Sequence, residues 1–334
     1  MTAGIAINGF GRIGRMVFRQ MMSRGDYNVV AVNASYPPET LAHLVRYDTT
    51  HGRFAGEVIA EDGALIVNGK RVTLVNERDP ANLPWKELNV DIVIEATGKF
   101  NSRDKAALHI QAGARKVILT APGKDADQTI VIGVNEDKLN VANQDVISNA
   151  SCTTNCLAPL VKVLNDTFGI ENGLMTTVHA YTSDQNNLDN PHKDLRRARA
   201  MGQSIIPTTT GAAKALGLVM PELEGRIHGM ALRVPTPNVS LVDLVVDLKC
   251  DVTVEEVNGA LKQAADGPLK GILGYTNEPL VSVDFNTTTY SAVIDALSTM
   301  VMQGRKVQVL AWYDNEWGYA ARVTDLAKMV ADQL

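Results

Sequence analysis

Short apolar runs alternate with stretches of helical spacing over the first 150 residues. The apolar runs that predict strands cover 4–8, 29–33, 90–96, 116–119 and 129–134. Helical patterns cover 12–23 and 102–112, and Ser102 is the expected N-cap of the second. The run over 90–96 is continuously apolar, as in a strand buried on both faces. Strands that alternate with helices predict an α/β domain with a doubly wound parallel sheet.

The pattern changes after residue 150. A helix is predicted to follow Cys152, and Thr253 with Glu256 forms a capping-box signature for another. Longer strand-like runs, several alternating apolar with polar, cover 174–181, 230–234, 240–248, 280–285 and 307–313. This predicts an α+β domain with a large, mostly antiparallel sheet. A final helix with an apolar stripe is expected to return to the first domain, giving domains of 1–150 joined by 315–334, and 151–314.

Composition agrees with a two-domain globular protein. The chain has 334 residues, of which 45% are hydrophobic and 21% charged. Its net charge of −5 and lack of a basic run give no reason to expect nucleic acid or a membrane surface as partner. No signal-peptide pattern precedes the first strand. Three cysteines, an odd and low number, favour free thiols in a reducing cytoplasm.

A glycine-rich loop joins the first predicted strand to the first helix. Gly9, Gly11 and Gly14 give the spacing G-x-G-x-x-G, and the strand and helix on either side supply the context that the motif requires. The first glycine permits the tight turn, the second lets the backbone approach a pyrophosphate, and the third lets helix and strand pack closely. The loop therefore predicts a Rossmann-type dinucleotide site.

The end of the second strand carries no carboxylate. An acidic residue there normally binds the ribose 2′-hydroxyl of NAD and repels a 2′-phosphate. Here the strand ends in Asn33, Ala34 and Ser35, and Asp26 lies before the strand, on the wrong side. Ala34 leaves room and Ser35 can donate a hydrogen bond, so the sequence indicates that NADP is at least tolerated.

Cys152 is the candidate nucleophile. It opens a predicted helix, where the helix dipole and free amides stabilise a thiolate. Cys156 lies one turn deeper, where burial favours an inert thiol, and Cys250 falls in a sheet-to-turn region with a structural role.

His179 is the one of six histidines that geometry selects. A helix over 153–166 is about 21 Å long, and a strand over 172–179 spans about 23 Å. A chain that leaves along the helix and returns along the strand brings His179 level with Cys152, where it can act as a general base. Two alternatives stay open: a pair of unrelated buried residues, or a zinc site made by Cys152, Cys156 and His179.

Groups suited to binding anions lie in the same domain. Residues 208–211 (Thr-Thr-Thr-Gly) form a hydroxyl-rich turn before a predicted helix, which favours phosphate. Arg233 lies between apolar residues in a strand, where a buried guanidinium needs an anionic partner. The basic residues between 193 and 199 are for the most part interpreted as a solvated helix face.

These segments together resemble one known family. The sequence over 3–14, the segment Ser148–Cys156, the segment 207–213 and the segment 312–316 are similar to phosphorylating glyceraldehyde-3-phosphate dehydrogenases, over essentially the whole chain. The resemblance implies that Cys152 attacks the aldehyde, that His179 takes the proton, and that hydride passes to a nicotinamide. Inorganic phosphate then releases the thioester as 1,3-bisphosphoglycerate.

The resemblance also implies binding roles for individual residues. The substrate phosphate site comprises Thr182, Asp184, Arg197 and Arg233, and the inorganic phosphate site comprises Ser151, Thr153, Thr210 and Gly211. The coenzyme residues are Gly9, Gly11, Arg12, Ile13, Gly14, Ala34, Ser35, Arg78, Thr120, Asn190 and Asn315, the last holding the carboxamide. The loop 181–203 is implied to lie between subunits of a homotetramer.

Two departures concern the coenzyme. NAD-dependent glycolytic members have Asp where Ala34 stands and Leu where Asn190 precedes Pro191. Both changes resemble the bacterial branch that prefers NADP and runs in the gluconeogenic direction. The sequence therefore predicts NADP as the preferred coenzyme, with residual use of NAD.

Three other functions remain as alternatives. Erythrose-4-phosphate dehydrogenase shares the Cys and His logic, although the turn 208–211 favours the phosphorylating enzyme. A Cys–His hydrolase needs no dinucleotide loop. A non-enzymatic coenzyme-binding protein needs neither the Cys152–His179 pair nor two anion sites.

Overall fold

The computed structural model describes residues 3–334, and Met1 and Thr2, where the sequence predicts no signal peptide, lie outside it. The chain divides into two compact units. Unit 1 runs to Ile130 and adds Asp137–Ala150 and Ala320–Leu334, and unit 2 comprises Val131–Glu136 and Ser151–Tyr319. The helices of the described residues are α1 (Arg12–Arg24), α2 (Pro38–Arg46), α3 (Arg103–Gln111), α4 (Cys152–Phe168), α5 (Ala212–Val219), α6 (Val254–Asp266) and α7 (Trp317–Ala331).

Strands alternate with helices in unit 1 and form longer runs in unit 2. The strands of unit 1 are β1 (Gly4–Asn8), β2 (Asn28–Asn33), β3 (Tyr47–Asp48), β4 (Gly52–Arg53), β5 (Val58–Glu61), β6 (Ala64–Val67), β7 (Lys70–Val75), β8 (Ile92–Glu95), β9 (Lys116–Leu119), β10 (Gln128–Thr129) and β11 (Val146–Ser148). The strands of unit 2 are β12 (Ile170–Ala180), β13 (Ile206–Thr209), β14 (Ile227–Val234), β15 (Ser240–Leu248), β16 (Leu273–Thr276), β17 (Ala292–Met302) and β18 (Lys306–Tyr313).

The sheet of unit 1 is doubly wound, as predicted. Its strand order is β10-β11-β9-β8-β1-β2-β7-β6-β5, and the strands from β10 to β7 are parallel. The strands β5 and β6 add an antiparallel edge that the sequence analysis did not predict. The central strands β1, β8 and β9 are buried along their whole length, which explains their continuous apolar character.

The sheet of unit 2 is mixed and mostly antiparallel, again as predicted. Its order is β13-β14-β12-β15-β18-β17-β16, and only the β14–β12 and β17–β16 pairs are parallel. The helices α4 and α6 pack on one face of this sheet. Alternate residues of β15, from Ser240 to Leu248, are therefore buried. Among residues 3–334 no helix combines the length and apolar character that crossing a bilayer requires.

Two predicted strands are wrong. Over 129–134 the strand is only Gln128–Thr129, because Asn135 Oδ1 accepts a hydrogen bond from Val131 N and closes a turn. Over 280–285 the chain forms a short 3₁₀ helix, Ser282–Phe285. There Asp284 Oδ2 accepts from Val281 N, and such local side-chain bonds compete with strand pairing.

Of the two predicted helix caps, one is complete and the other lacks its side-chain hydrogen bond. Thr253 caps α6 in a complete capping box with Glu256, as the spacing predicted. Ser102 occupies the N-cap position of α3, but its side chain makes no capping hydrogen bond. The sequence pattern therefore located the start of α3 without giving its cap chemistry.

Candidate active site

The glycine loop of unit 1 has the shape that a pyrophosphate requires. Gly9 has φ +95°, and a Cβ there would lie 2.7 Å from Thr97 Cγ2. A Cβ on Gly14 would lie 2.1 Å from Gly9 O, whereas one on Gly11 would meet nothing within 4 Å. The loop is thus closed on its inner side and open at Gly11, where α1 begins with no side-chain cap and no acidic residue in its first turn. These features fit a dinucleotide.

The two residues that open α1 lie beside this cradle. Arg12 forms a bidentate ion pair with Asp48, with 3.1 Å between Nη2 and Oδ1, and Ile13 follows it. Burial of Asp48 opposes its ionisation, but Arg12 and the amides of His51 and Thr50 outweigh burial and lower its pKa to about 2. The guanidinium is therefore held in place by an ionised partner.

The end of β2 is tied to the segment that carries Arg78. Asn33 Nδ2 donates to Glu77 O at 2.7 Å, and Glu77 N donates back to Asn33 Oδ1 at 3.0 Å. Ala34 N donates to Val75 O at 2.9 Å, Ser35 is exposed, and Arg78 is exposed. The structure thus places Ala34, Ser35 and Arg78 at one edge of unit 1.

A buried polar network underlies the same edge. The Glu95 carboxylate is 1% exposed, and Asn8 Nδ2 donates to its Oε2 at 2.5 Å. His109, fully buried, places Nε2 3.1 Å from Oε2, while Trp85 Nε1 donates to its Nδ1 at 3.0 Å. Because the indole N–H is only a donor, Nδ1 has no hydrogen and Nε2–H donates to Glu95.

Glu95 also fixes the two loops that follow β8 and β9. Thr97 donates from its backbone N, at 2.7 Å, and from its hydroxyl to Glu95 Oε1. Thr120 donates from N and Oγ1 to Glu95 O at 3.1 and 3.0 Å. Sequence reasoning missed this network, although polar residues at the carboxyl ends of apolar strands (Asn8, Asn33, Glu95) were the available signal.

In unit 2, Cys152 is the first residue of α4. Ser151 caps the helix, with its Oγ accepting from Thr154 N at 3.1 Å, and the cap places the thiol on the first turn. Thr153 follows, and its Oγ1 lies 2.9 Å from the buried Tyr313 hydroxyl. That hydroxyl also lies 2.8 Å from Thr177 Oγ1, so Tyr313 joins α4 to β12. Sequence reasoning did not single out Tyr313.

His179 reaches Cys152 from β12, as the lengths of helix and strand predicted. Its Nε2 lies 3.6 Å from Cys152 Sγ, and the ring is 4% exposed. Its Nδ1 lies 2.7 Å from Ala180 O and 2.9 Å from Arg233 Nη1. Tyr313 packs edge-on against the ring, with 5.9 Å between centroids.

The surroundings of this pair favour its neutral form. Burial raises the pKa of the Cys152 thiol, while the charge of Arg233 and the hydrogen bonds of Thr153 act in the opposite direction. Burial and the charge of Arg233 lower the pKa of His179 to about 3. The sequence suggested a thiolate stabilised by the helix end, and burial of the thiol acts against that stabilisation.

Arg233 lies beside His179 because β14 pairs in register with β12. Its Nη1 donates to Ala180 O at 3.0 Å and to Thr182 Oγ1 at 3.3 Å. Its Nε is enclosed and has no hydrogen-bond partner among the described residues. A buried, incompletely satisfied guanidinium is the kind of group that an anion stabilises.

Arg197, in the loop 181–203 of unit 2, is a second cationic residue. It pairs with Asp184, and its Nε donates to Thr208 Oγ1 at 3.0 Å. Thr208 in turn donates to Asp194 Oδ2 at 2.7 Å. Residues 193–199 form turns and bends rather than the helix face that was expected, because these contacts hold the segment against β13.

The remaining predicted residues fall at three places. Thr210 and Gly211 precede α5, with Ala212 N donating to Thr210 Oγ1 at 3.2 Å, whereas Thr208 and Thr209 belong to β13 rather than to a turn. Asn315 is buried, and its Oδ1 accepts from Ser240 Oγ at 2.7 Å. Asn190 lies in the loop 181–203 of unit 2, and Ala34 lies in unit 1.

The other two cysteines have the environments expected of them. Cys156 is buried, burial raises its pKa, and its Sγ contacts Ala311 O at 3.8 Å. Cys250 is exposed, just after β15. Within the described part of the chain, no three His, Cys, Asp or Glu side chains are grouped as a metal ion would need.

Comparison with known proteins agrees with this architecture. Residues 3–103 match the family model of the glyceraldehyde 3-phosphate dehydrogenase NAD binding domain, and residues 151–315 match its C-terminal domain. The chain is 68% identical over 334 residues to glyceraldehyde-3-phosphate dehydrogenase 2 of Bacillus subtilis, covering 100% of this chain and 98% of the relative. It is 62% identical over 331 residues to glyceraldehyde-3-phosphate dehydrogenase 2 of Staphylococcus aureus MRSA252, covering 99% and 96%.

A third relative matches over the same length of chain. Identity to the glyceraldehyde-3-phosphate dehydrogenase of Geobacillus stearothermophilus is 61% over 333 residues, covering 100% of this chain and 99% of the relative. Both units of the structure are thus covered by relatives of one kind. The chain belongs to the glyceraldehyde-3-phosphate dehydrogenase family and is an oxidoreductase with a nicotinamide-coenzyme domain and a catalytic domain.

Proposed function

We propose that this protein oxidises glyceraldehyde 3-phosphate and inorganic phosphate to 1,3-bisphosphoglycerate, and catalyses the reverse, through a thioester on Cys152. The observation that carries the proposal is the 3.6 Å approach of Cys152 Sγ to His179 Nε2 at the start of α4. A thiol, a base and two groups of anion-binding residues on one unit match the needs of this reaction.

The approach of Cys152 Sγ to His179 Nε2 defines the first step. Cys152 Sγ bonds to the aldehyde carbon, and its proton passes to His179 Nε2. The protonated Nε2–H then faces the oxygen of the hemithioacetal and stabilises its negative charge. As hydride leaves the carbon, the electron pair of the negatively charged oxygen forms the carbonyl of the thioester, and His179 keeps the proton that it took from the thiol.

Two phosphates need separate sites. Thr182, Arg233 and the Asp184-paired Arg197 would hold the phosphate of the substrate, and the enclosed Nε of Arg233 supports an anion there. Four residues at the starts of α4 and α5 would hold inorganic phosphate for attack on the thioester: Ser151, Thr153, Thr210 and Gly211.

Gly9, Gly11 and Gly14 would hold the coenzyme pyrophosphate, with Arg12, Ile13, Arg78 and Thr120 lying along the dinucleotide and Asn315 holding its carboxamide. When bound, the nicotinamide accepts the hydride. NADP is the preferred coenzyme in this proposal, because Ala34, Ser35 and Asn190 place no carboxylate against a 2′-phosphate. Changing Ala34 to Asp should shift the ratio of kcat/KM for NADP over NAD by about tenfold or more toward NAD, as repulsion between one carboxylate and the 2′-phosphate allows.

The proposed assembly is a homotetramer in the cytoplasm. Leu188 and Leu195 in the loop 181–203 are 78% and 80% exposed, and β12, β14 and β17 expose Leu174, Met230 and Met300 on one face of their sheet. Exposed apolar groups of this size favour subunit contacts. Light scattering should give the mass of four 36.1 kDa chains. The free cysteines are compatible with a reducing compartment such as the cytoplasm.

Initial rates with two aldehydes and two coenzymes, each with and without phosphate, test the activity. We expect glyceraldehyde 3-phosphate to be the better substrate and its turnover to require phosphate. Faster, phosphate-independent oxidation of erythrose 4-phosphate would identify the paralogous enzyme instead. Coenzyme binding without turnover of either aldehyde would identify a non-enzymatic coenzyme-binding protein.

A further inference from the structure

Ser240 joins the end of the strand that carries His179 to the side chain of Asn315. It is the first residue of β15, which lies between β12, ending at Ala180, and β18, ending at Tyr313. Ser240 Oγ accepts a hydrogen bond from Ala180 N at 3.0 Å and donates one to Asn315 Oδ1 at 2.7 Å. Because Ser240 is buried, water does not replace either contact. Two consecutive hydrogen bonds therefore connect the backbone beside His179 to the amide of Asn315.

The backbone around Asn315 is held by a different group, the buried carboxylate of Asp314. This carboxylate accepts a hydrogen bond from Thr287 N at 2.7 Å. It also accepts from Glu316 N at 2.9 Å and from Trp317 N at 2.7 Å, where α7 begins. These bonds leave the side-chain amide of Asn315 free to turn between two orientations, which exchange the positions of its oxygen and nitrogen.

The hydroxyl of Ser240 selects one of these orientations. Its oxygen already accepts from Ala180 N, and its single hydrogen needs an acceptor. Oδ1 of Asn315 is such an acceptor, whereas the reverse orientation would present the donor Nδ2 and leave a buried hydroxyl hydrogen unpaired. In the selected orientation, Nδ2 has no hydrogen-bond partner among the residues that the structure describes. A buried amide with an unused donor favours a ligand that supplies an acceptor.

A strained backbone position immediately precedes Ser240. Val239 has φ +66°, in the left-handed region that β-branched residues avoid. Its side chain is buried in a cluster with Phe285 and Val293, and this packing holds the residue in the unfavourable conformation. Strain of this kind is concentrated at sites where a neighbouring group must be held in one place. The position from which the Ser240 hydroxyl reaches Asn315 is therefore fixed by the core.

We propose that Ser240 is a positioning residue for the coenzyme, whose hydroxyl fixes the Asn315 amide so that Nδ2 donates to the oxygen of the nicotinamide carboxamide. The inference rests on the proposed function, in which Asn315 holds the carboxamide. It adds the residue that decides which end of the Asn315 amide the carboxamide meets. Because the same hydroxyl accepts from Ala180 N, the coenzyme contact is tied to the strand end that carries His179.

The binding of two ligands separates this role from a general loss of structure. NADP contains the carboxamide, and 2′-phospho-ADP-ribose is the same molecule without the nicotinamide. In Ser240→Ala the amide of Asn315 can turn, so calorimetry should give a Kd for NADP about tenfold above that of the wild type. The Kd for 2′-phospho-ADP-ribose should change by less than about twofold. Equal changes for the two ligands, or no change for NADP, would overturn the proposal.

Thr299→Val is the matched control. Thr299 is buried in the same unit, and its Oγ1 donates to Asn258 Oδ1 at 2.7 Å. The variant therefore removes a hydroxyl-to-asparagine hydrogen bond of the same kind and length as that of Ser240, but one that does not involve Asn315. Its Kd for NADP should stay within about twofold of the wild-type value. A loss of NADP affinity as large as that in Ser240→Ala would attribute the effect to stability and contradict the proposal.

A measurement on the wild-type protein covers the case in which Ser240→Ala does not fold. The NADP analogue with an acetyl group in place of the carboxamide keeps the carbonyl oxygen and lacks the NH₂ group. If Asn315 donates through Nδ2 to that oxygen, the Kd for the analogue should lie within about threefold of that for NADP. A greater loss of affinity would indicate that Asn315 presents its oxygen to the NH₂ group, and would reject the orientation assigned to Ser240.

Turnover of glyceraldehyde 3-phosphate with inorganic phosphate, measured in the same wild-type preparation, tests the proposed function separately. Absence of turnover together with the expected binding pattern would reject the proposed function and support the role of Ser240 in coenzyme binding. Turnover together with equal weakening of both ligands in Ser240→Ala would reject the role of Ser240 alone.

Discussion

The two units each contain a buried histidine at the functional edge of their sheet, and the two environments differ in one respect. The contacts of His109 are all structural: Trp85 Nε1 donates to Nδ1 at 3.0 Å, and Nε2 lies 3.1 Å from Glu95 Oε2 and 3.4 Å from Asn8 Nδ2. His179 differs because its Nε2 lies 3.6 Å from the thiol of Cys152, while its Nδ1 contacts Ala180 O and Arg233 Nη1. A histidine whose ring nitrogens face only structural partners stabilises a scaffold, whereas one that faces a thiol can exchange a proton.

The largest effect is expected when Cys152, the partner of His179, is replaced. Cys152→Ser should lower dehydrogenase turnover by roughly 10⁴-fold or more, because a hydroxyl is a far weaker nucleophile than a thiol. Coenzyme affinity, measured by fluorescence titration, should stay near that of the wild type. Substantial residual turnover would refute Cys152 as the nucleophile.

Replacing the reactive histidine should have a smaller effect on the same rate. His179→Asn should lower kcat by about 10²–10⁴-fold through loss of general acid–base catalysis. The alkylation rate of Cys152 at neutral pH should also fall, because no base remains beside the thiol. Equal alkylation rates of Cys152 in the variant and the wild type would show that His179 is not the base for this thiol.

Replacing His109 should change the stability of the protein rather than its turnover. His109→Leu leaves the Trp85 N–H and the Glu95 carboxylate each without one buried partner, and should lower the free energy of unfolding of the protein by about 2–4 kcal/mol. Denaturant unfolding measures the change, and kcat per folded molecule serves as the comparison with His179→Asn. A collapse of kcat with unchanged stability would reverse the roles assigned to the two histidines.

The smallest expected difference concerns pH. The pKa of His179 is about 3 in the folded protein and near 6.5 when the chain is unfolded, so between these values the unfolded chain binds the extra proton. The stability contributed by keeping His179 neutral is therefore present above about pH 6.5 and is lost as pH falls. From pH 7 to pH 5 the wild type should lose about 2 kcal/mol more than His179→Asn. Parallel stability profiles for the two proteins would disprove the lowered pKa.

Local sequence signals predicted the parts of the site that lie close together in the chain. The order β1, glycine loop, α1 follows from the spacing of Gly9, Gly11 and Gly14, and the reach of α4 and β12 predicted the approach of His179 to Cys152. The errors over 129–134 and 280–285 came from single side chains, Asn135 and Asp284, that closed local hydrogen bonds within apolar runs. Hydrophobic pattern does not contain that information.

Polar residues at strand ends hinted at the buried network, but its individual pairings could not be predicted because its members meet only through sheet register. Asn8 lies opposite both Asn33 and Glu95 once β1 is placed between β2 and β8. The contact of Arg233 with His179 likewise depends on the register of β12 and β14. The sequence indicated that Arg233 needs an anionic partner, but its contact with His179 is visible only in three dimensions.

The most direct test of the central claim is to trap the acyl group on the enzyme. Wild-type protein is mixed with glyceraldehyde 3-phosphate and oxidised coenzyme without phosphate, quenched in acid, digested and examined by mass spectrometry. The account predicts a phosphoglyceroyl adduct on the peptide containing Cys152, absent from the Cys250 peptide, that disappears when inorganic phosphate is added before the quench. No acyl adduct on Cys152 during active turnover, or one that phosphate does not discharge, would contradict it.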